Sequence, residues 1–151
     1  MLNSRFILCL VAAALIFVAV TWLTWWHASM GAVAVNIGLH SAEICTSAGC
    51  MAADFDMLDG FGDMPFRVVA TRWLGLAAAA MLALSSLVRT REVTGSTLAL
   101  LATTVAFASW SMFGDTFGEP SELLSMRLGW PTLLAGVICA AVGLTRRPSS
   151  S

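Results

Sequence analysis

Ala32-Val-Ala-Val-Asn-Ile-Gly-Leu39 is followed by His40-Ser-Ala-Glu-Ile-Cys45 and, across Thr46-Ser-Ala-Gly49, by Cys50-Met-Ala-Ala-Asp-Phe55. Val33, Val35 and Ile37 alternate with smaller or polar residues, the period of a strand with one buried face. Residues 32–39, 40–45 and 50–55 therefore read as three extended pieces, and Thr46-Ser-Ala-Gly49 as a hairpin connection between the last two. A small antiparallel sheet is the expected product. Asp59-Gly-Phe-Gly-Asp63 then turns the chain, and Met64-Pro65 leads it onward.

On either side of this segment the sequence changes character. Apolar runs occupy about 6–26, 68–88, 96–113 and 128–144, leaving an intervening loop of about 27–66. A helix needs roughly 20 apolar residues to cross a bilayer. The first two runs meet that length, and the other two are shorter but free of internal charge. The chain is 58% hydrophobic and 11% charged, with a mean hydropathy of +0.84. Soluble domains carry about 25% charged residues, so the composition points to the lipid bilayer as the surrounding medium. The first run is too long for a secretory leader, and Trp22, Trp25 and Trp26 at its end suit the aromatic belt of a retained helix.

Charge placement supplies the orientation. All eight basic residues are arginines, and Arg5, Arg89, Arg91, Arg146 and Arg147 flank the apolar runs on one side. The acids Glu43, Asp54, Asp56, Asp59, Asp63, Asp115, Glu119 and Glu122 fall in the two segments facing the other side, with Glu92 the exception. Short arginine-rich loops stay cytoplasmic. The expectation is one four-span domain over 1–151 with both termini in the cytoplasm. The absence of lysine suggests a GC-rich bacterial genome, hence the inner membrane.

Few residues carry reactive chemistry. Cys45 and Cys50 stand at the two ends of the expected hairpin, where cross-strand cysteines meet disulfide geometry with Cα atoms about 5.5 Å apart. The outer compartment is oxidising and favours such a bridge. It reads as a structural staple, with a redox pair as the alternative, although redox pairs more often use a C-x-x-C spacing. Cys9 and Cys139 lie within spans and read as small apolar packing residues. Arg72 lies inside the second span, where an arginine costs about 2.5 to 3.5 kcal/mol unless it is paired or snorkels. Asp63, Asp115, Glu119 or Glu122 is its expected partner, or carbonyls of the sheet; Arg67 and Arg127 sit at the interface and snorkel.

Other constellations fall short. The acidic run 54–63 lacks the spacing and closing glutamate of an EF-hand, and His27 with His40 lacks a further zinc ligand. There is no phosphate loop, no Ser-His-Asp set and no pair of membrane carboxylates, so neither a cofactor nor a catalytic residue is expected. No basic patch with interleaved aromatics exists, which argues against nucleic-acid binding. Gly75 with Ala79, and Gly136 with Ala140, form small-xxx-small rows that suit either packing within one bundle or assembly with further subunits. Ser121 suits a cap on a helical turn before the fourth span.

This layout resembles the claudin and peripheral myelin protein superfamily, which has four spans, inner termini and a first outer loop folded as a small antiparallel sheet. The family's first-loop signature is a Trp, then Gly-Leu-Trp, then two bonded cysteines, with an arginine near the start of the second span. Trp25 or Trp26 answers the first Trp, Gly38-Leu39-His40 stands where Gly-Leu-Trp is expected, Cys45 and Cys50 follow, and Arg72 takes the arginine's place. His40 departs from the signature Trp, and the cysteine spacing is shorter. The resemblance implies a claudin-like fold: a mainly α, four-helix transmembrane bundle with a small outer β-sheet. Gly38, Leu39, His40 and Arg72 become structural or interaction residues.

The function expected from this is structural or interactive. The stapled outer loop would contact another copy of the chain, a neighbouring membrane subunit or a periplasmic molecule. Two alternatives stand beside it. One is a quinone-linked thiol oxidase like the DsbB family, which shares four spans and outer-loop cysteines, yet the second outer loop, about 114–126, holds no cysteine for a relay. The other is a small channel or transporter subunit, for which Arg72 is the one candidate charge within a span.

Overall fold

The computed structural model describes residues 4–53, 65–88, 90–113 and 125–145. The acidic run 54–63, the acids of the second loop, Ser121, Arg89 and the terminal arginines lie outside them. In chain order the elements are α1 (Ser4–Thr21), β1 (Thr24–Met30), β2 (Val33–Gly38), β3 (Ala42–Thr46), β4 (Gly49–Ala53), α2 (Phe66–Leu87), α3 (Arg91–Phe113), β5 (Ser125–Met126) and α4 (Gly129–Thr145). The described residues are thus mainly helical, with one five-stranded antiparallel sheet of order β4-β3-β2-β1-β5.

Three helices, α1, α2 and α3, are long and apolar enough to cross a membrane, and α4 is a shorter apolar helix of 17 residues. At a rise of 1.5 Å per residue the 18 residues of α1 extend about 27 Å, close to the roughly 30 Å of a hydrocarbon core. Helix α1 lies between α2 and α4, and α3 packs on α2 while touching α4 more sparsely. The buried stripe of α1, Cys9, Ala12, Ala13, Ile16, Ala19 and Val20, recurs at three- and four-residue steps.

Small residues set these approaches. A Cβ on Gly75 would lie 2.5 Å from Val20 Cγ1, and one on Gly136 2.8 Å from Ile16 Cγ1. Gly75 and Gly136, one from each small-residue row, therefore serve contacts with α1 within this chain. The α2–α3 contact is different. Ser85 Oγ and Thr97 Oγ1 share a buried hydrogen bond of 2.8 Å, and Thr71 Oγ1 and Ser111 Oγ another of 3.3 Å.

Two span limits differ from the sequence expectation. Helix α1 ends at Thr21, so Trp25 and Trp26 belong to a strand and not to the helix's aromatic end. Hydropathy treats the run as continuous, but Thr24-Trp25-Trp26 gains more by pairing with β2 and burying both indoles, at 0% and 4% exposure. Helix α3 begins at Arg91 and not at Ser96, because Thr90 caps it: Val93 N–H donates to Thr90 Oγ1 at 3.2 Å.

Strand limits shift less: residues 32–39, 40–45 and 50–55 become β2, β3 and β4. Strands β1 and β5 are additions. The β1–β2 hairpin turns at Gly31, whose φ of 62° suits the first central position of a tight hairpin turn.

Candidate functional site

The sheet has two unlike faces, set by register. Trp26, Ile37, Ala42 and Ala53 align across four strands on one face and are buried. Trp26, Ile37 and Ala42 join the core that runs down between the helices. A β-bulge at Trp25 lets two consecutive indoles of β1 be buried.

Trp25 ties the sheet to the bundle. Its indole Nε1–H donates to Ala19 O at 2.7 Å, satisfying the last turn of α1, and its carbonyl accepts from Arg127 N–H at 3.0 Å. Its ring lies 6.3 Å from that of Trp130 and 5.9 Å from that of Trp26. Gly129 passes so close that a Cβ there would meet Trp25 Cδ1 at 2.2 Å. Only glycine fits at the start of α4.

The Gly38-Leu39-His40 segment closes the β2–β3 turn. Gly38 N–H donates to Ser41 O at 2.9 Å, and a Cβ on Gly38 would lie 3.4 Å from Leu23 O, where α1 gives way to β1. Leu39 is fully buried, and His40 is exposed. Leu39 is thus a core residue, while His40 is available at the surface.

The opposite face carries the polar groups. His27, Asn36 and Glu43 align across β1, β2 and β3, and Ser125 of β5 pairs with His27. Ser125 Oγ–H donates to His27 O at 3.0 Å. His27 Nδ1–H donates to Asn36 Oδ1 at 2.8 Å, and Asn36 Nδ2–H donates to Cys45 Sγ at 3.6 Å. Cys45 and Cys50 are directly paired across β3 and β4 and joined by a disulfide, with Cα atoms 4.0 Å apart. Cys50 is exposed, whereas Cys45 is half-buried. At the hairpin end Thr46 Oγ1 accepts from Ala48 N–H at 3.3 Å.

No known family model matches the chain, and no curated protein matches it.

The other candidate residues stand apart from this row. Arg72 is half-buried on α2, with its guanidinium 5.3 Å from the ring of Trp73. Its Nε has no hydrogen-bond partner among the described residues, and the four acids expected near it lie outside them. Arg67, earlier on α2, lies 5.5 Å from the ring of Trp110 on α3. Among the described residues no group of three or more His, Cys, Asp or Glu side chains is placed to hold a metal. Cys9 is buried in α1 and Cys139 half-buried in α4, both as free thiols.

The sequence singled out Cys45 and Cys50 but not His27 and Asn36 as their neighbours. A signal existed: alternation puts Asn36 on the face opposite Val35 and Ile37, and that is the face shared by Cys45.

Proposed function

We propose that the chain is a multi-pass inner-membrane protein with four spans and cytoplasmic termini, whose stapled sheet stands outside the membrane and contacts a partner. Its role is structural or interactive. The observation that carries this is the two-sided sheet: one face is fused to the helices through Trp25, Trp26, Leu39 and Trp130, and the other presents Glu43, Ala52 and Cys50 to solvent. Such a sheet is a rigid platform and not a flexible loop. The fold is best described as claudin-like. Support comes from a sheet built mostly from the first long loop, the bonded Cys45–Cys50 pair and the Gly38-Leu39 turn against the end of α1. The partner is a second copy of the chain, a neighbouring membrane subunit or a periplasmic molecule.

A photo-crosslinking amino acid at Ala52, on the open face, tests the reading against the same probe at Ile138, an exposed position of α4. Discrete protein adducts from position 52 and lipid adducts from position 138 are expected after irradiation of intact cells. If position 52, and then Ser29 and Glu43 on the same face, gives no discrete adduct, the interaction role is wrong.

A further inference from the structure

We infer that the Cys45–Cys50 disulfide is a directional thiol-exchange site, in which an incoming thiolate attacks Cys50 and Cys45 is the leaving sulfur. Three observations converge on this assignment, and none depends on which partner the sheet contacts. Cys50 is exposed on β4, the last strand in the sheet order, whereas Cys45 is half-buried on β3 between β2 and β4. Access therefore favours the sulfur of Cys50. Cys45 Sγ already receives the Asn36 Nδ2–H at 3.6 Å, and nothing comparable is directed at Cys50 Sγ among the described residues. The Asn36 amide is in turn oriented by His27 Nδ1–H on its Oδ1 at 2.8 Å, so its donor end stays turned toward the sulfur.

The step balances as an ordinary exchange. A new S–S bond forms between the incoming sulfur and Cys50 Sγ as the Cys45–Cys50 bond breaks. The electron pair of the broken bond leaves on Cys45 Sγ as a thiolate, which the Asn36 N–H stabilises. The incoming sulfur is oxidised, Cys45 is reduced and Cys50 is held in a mixed disulfide. A donor with a second thiol completes the reduction by attacking its own sulfur in that mixed disulfide; it departs as a disulfide and leaves Cys50 as a thiolate. Glu43, two residues before Cys45 on the same face and in register with Asn36, is an exposed acid whose charge would oppose a developing thiolate and not favour it. The neutral Asn36 donor is then the group on this face that favours departure of Cys45. The donor class is a thiol, free in solution or borne on a polypeptide.

The test uses the full-length protein in its membrane. It is exposed to reduced glutathione or, in a separate arm, to a peptide bearing two cysteines. The reaction is quenched with acid, free thiols are blocked with a maleimide and the modified sulfurs are located by fragment-ion mass spectrometry. Early in the glutathione arm, the adduct is expected on Cys50 with the maleimide on Cys45. The dithiol peptide should leave both cysteines blocked by maleimide and emerge as its own disulfide. Faster reaction with the peptide marks a polypeptide donor, and faster reaction with glutathione a small one. Asn36→Ala and Asn36→Asp should each slow the glutathione step about tenfold, the effect expected on losing a hydrogen bond to a charged group. Thr103→Ala, at an exposed position of α3 away from the sheet, should leave the rate unchanged. The site mapping on the unaltered protein needs no variant to fold. Glutathione on Cys45, equal modification of both sulfurs, no exchange in either arm, or Asn36 variants reacting at the unaltered rate would each overturn the assignment.

Discussion

The two faces of the sheet differ in what holds them and in what they can do. The bundle-facing side is an interior: Trp25, Ile37 and Leu39 are essentially inaccessible, and the Trp25 indole is hydrogen-bonded to Ala19 O at 2.7 Å. The open side is a surface on which polar groups are nevertheless ordered, from Ser125 through His27 and Asn36 to Cys45. Burial explains why the sheet is fixed to the helices. The ordered polar row explains where its chemistry lies. The same strand serves both ends, because successive side chains point to opposite faces.

The comparison breaks most visibly on the bundle-facing side, at Gly129 and Leu39. Gly129→Ala drives a methyl group into Trp25, with the nearest ring atom 2.2 Å from the new Cβ. Overpacking of this kind typically costs about 1–3 kcal/mol and sometimes more. With the fully buried ring of Trp25 on one side of the clash, the upper end is expected here. The loss should appear as a large drop in the detergent melting temperature and in membrane yield. A second bundle-facing change, Leu39→Ala, removes a buried side chain and should cost about 2–5 kcal/mol by the same melting measurement.

On the open face the effects should shrink. Replacing both Cys45 and Cys50 with Ala opens a short loop, and the chain-entropy relation for six residues gives about 2 kcal/mol. Loss should be confined to the hairpin, read as faster amide exchange in β3 and β4 with β1 unchanged. Ser125→Ala removes one exposed hydroxyl bond to His27 O and should cost at most about 1 kcal/mol. It should loosen β5 alone, read as local protease sensitivity near residue 125. If the open-face variants lower the melting temperature of the whole protein as much as Leu39→Ala does, the division between the faces fails.

Legibility in the sequence followed the same division. The apolar runs predicted helices because composition alone marks them, and the alternation of Val33, Val35 and Ile37 predicted β2. The end of α1 did not show, because Trp25 and Trp26 are as apolar as the helix before them and their fate depends on a distant strand. Strand β5 is two residues long and is defined by pairing with β1, about a hundred positions away. Local pattern carries no trace of it. Cys45 and Cys50 were legible as a pair because they flank a short turn. Their link to Asn36 and His27 was not, since it arises from register between three strands. Arg72 is conspicuous in sequence, yet its guanidinium lies over the ring of Trp73, and the expected acids lie outside the described residues.

The central claim is that the sheet and its disulfide stand on the outer side of a membrane bundle. A membrane-impermeant maleimide applied to right-side-out vesicles tests this directly, before and after treatment with an impermeant reductant. The account predicts no labelling of Cys45 or Cys50 before reduction and labelling of both after it. Labelling without reduction, or labelling obtained only from inside-out vesicles, would contradict it.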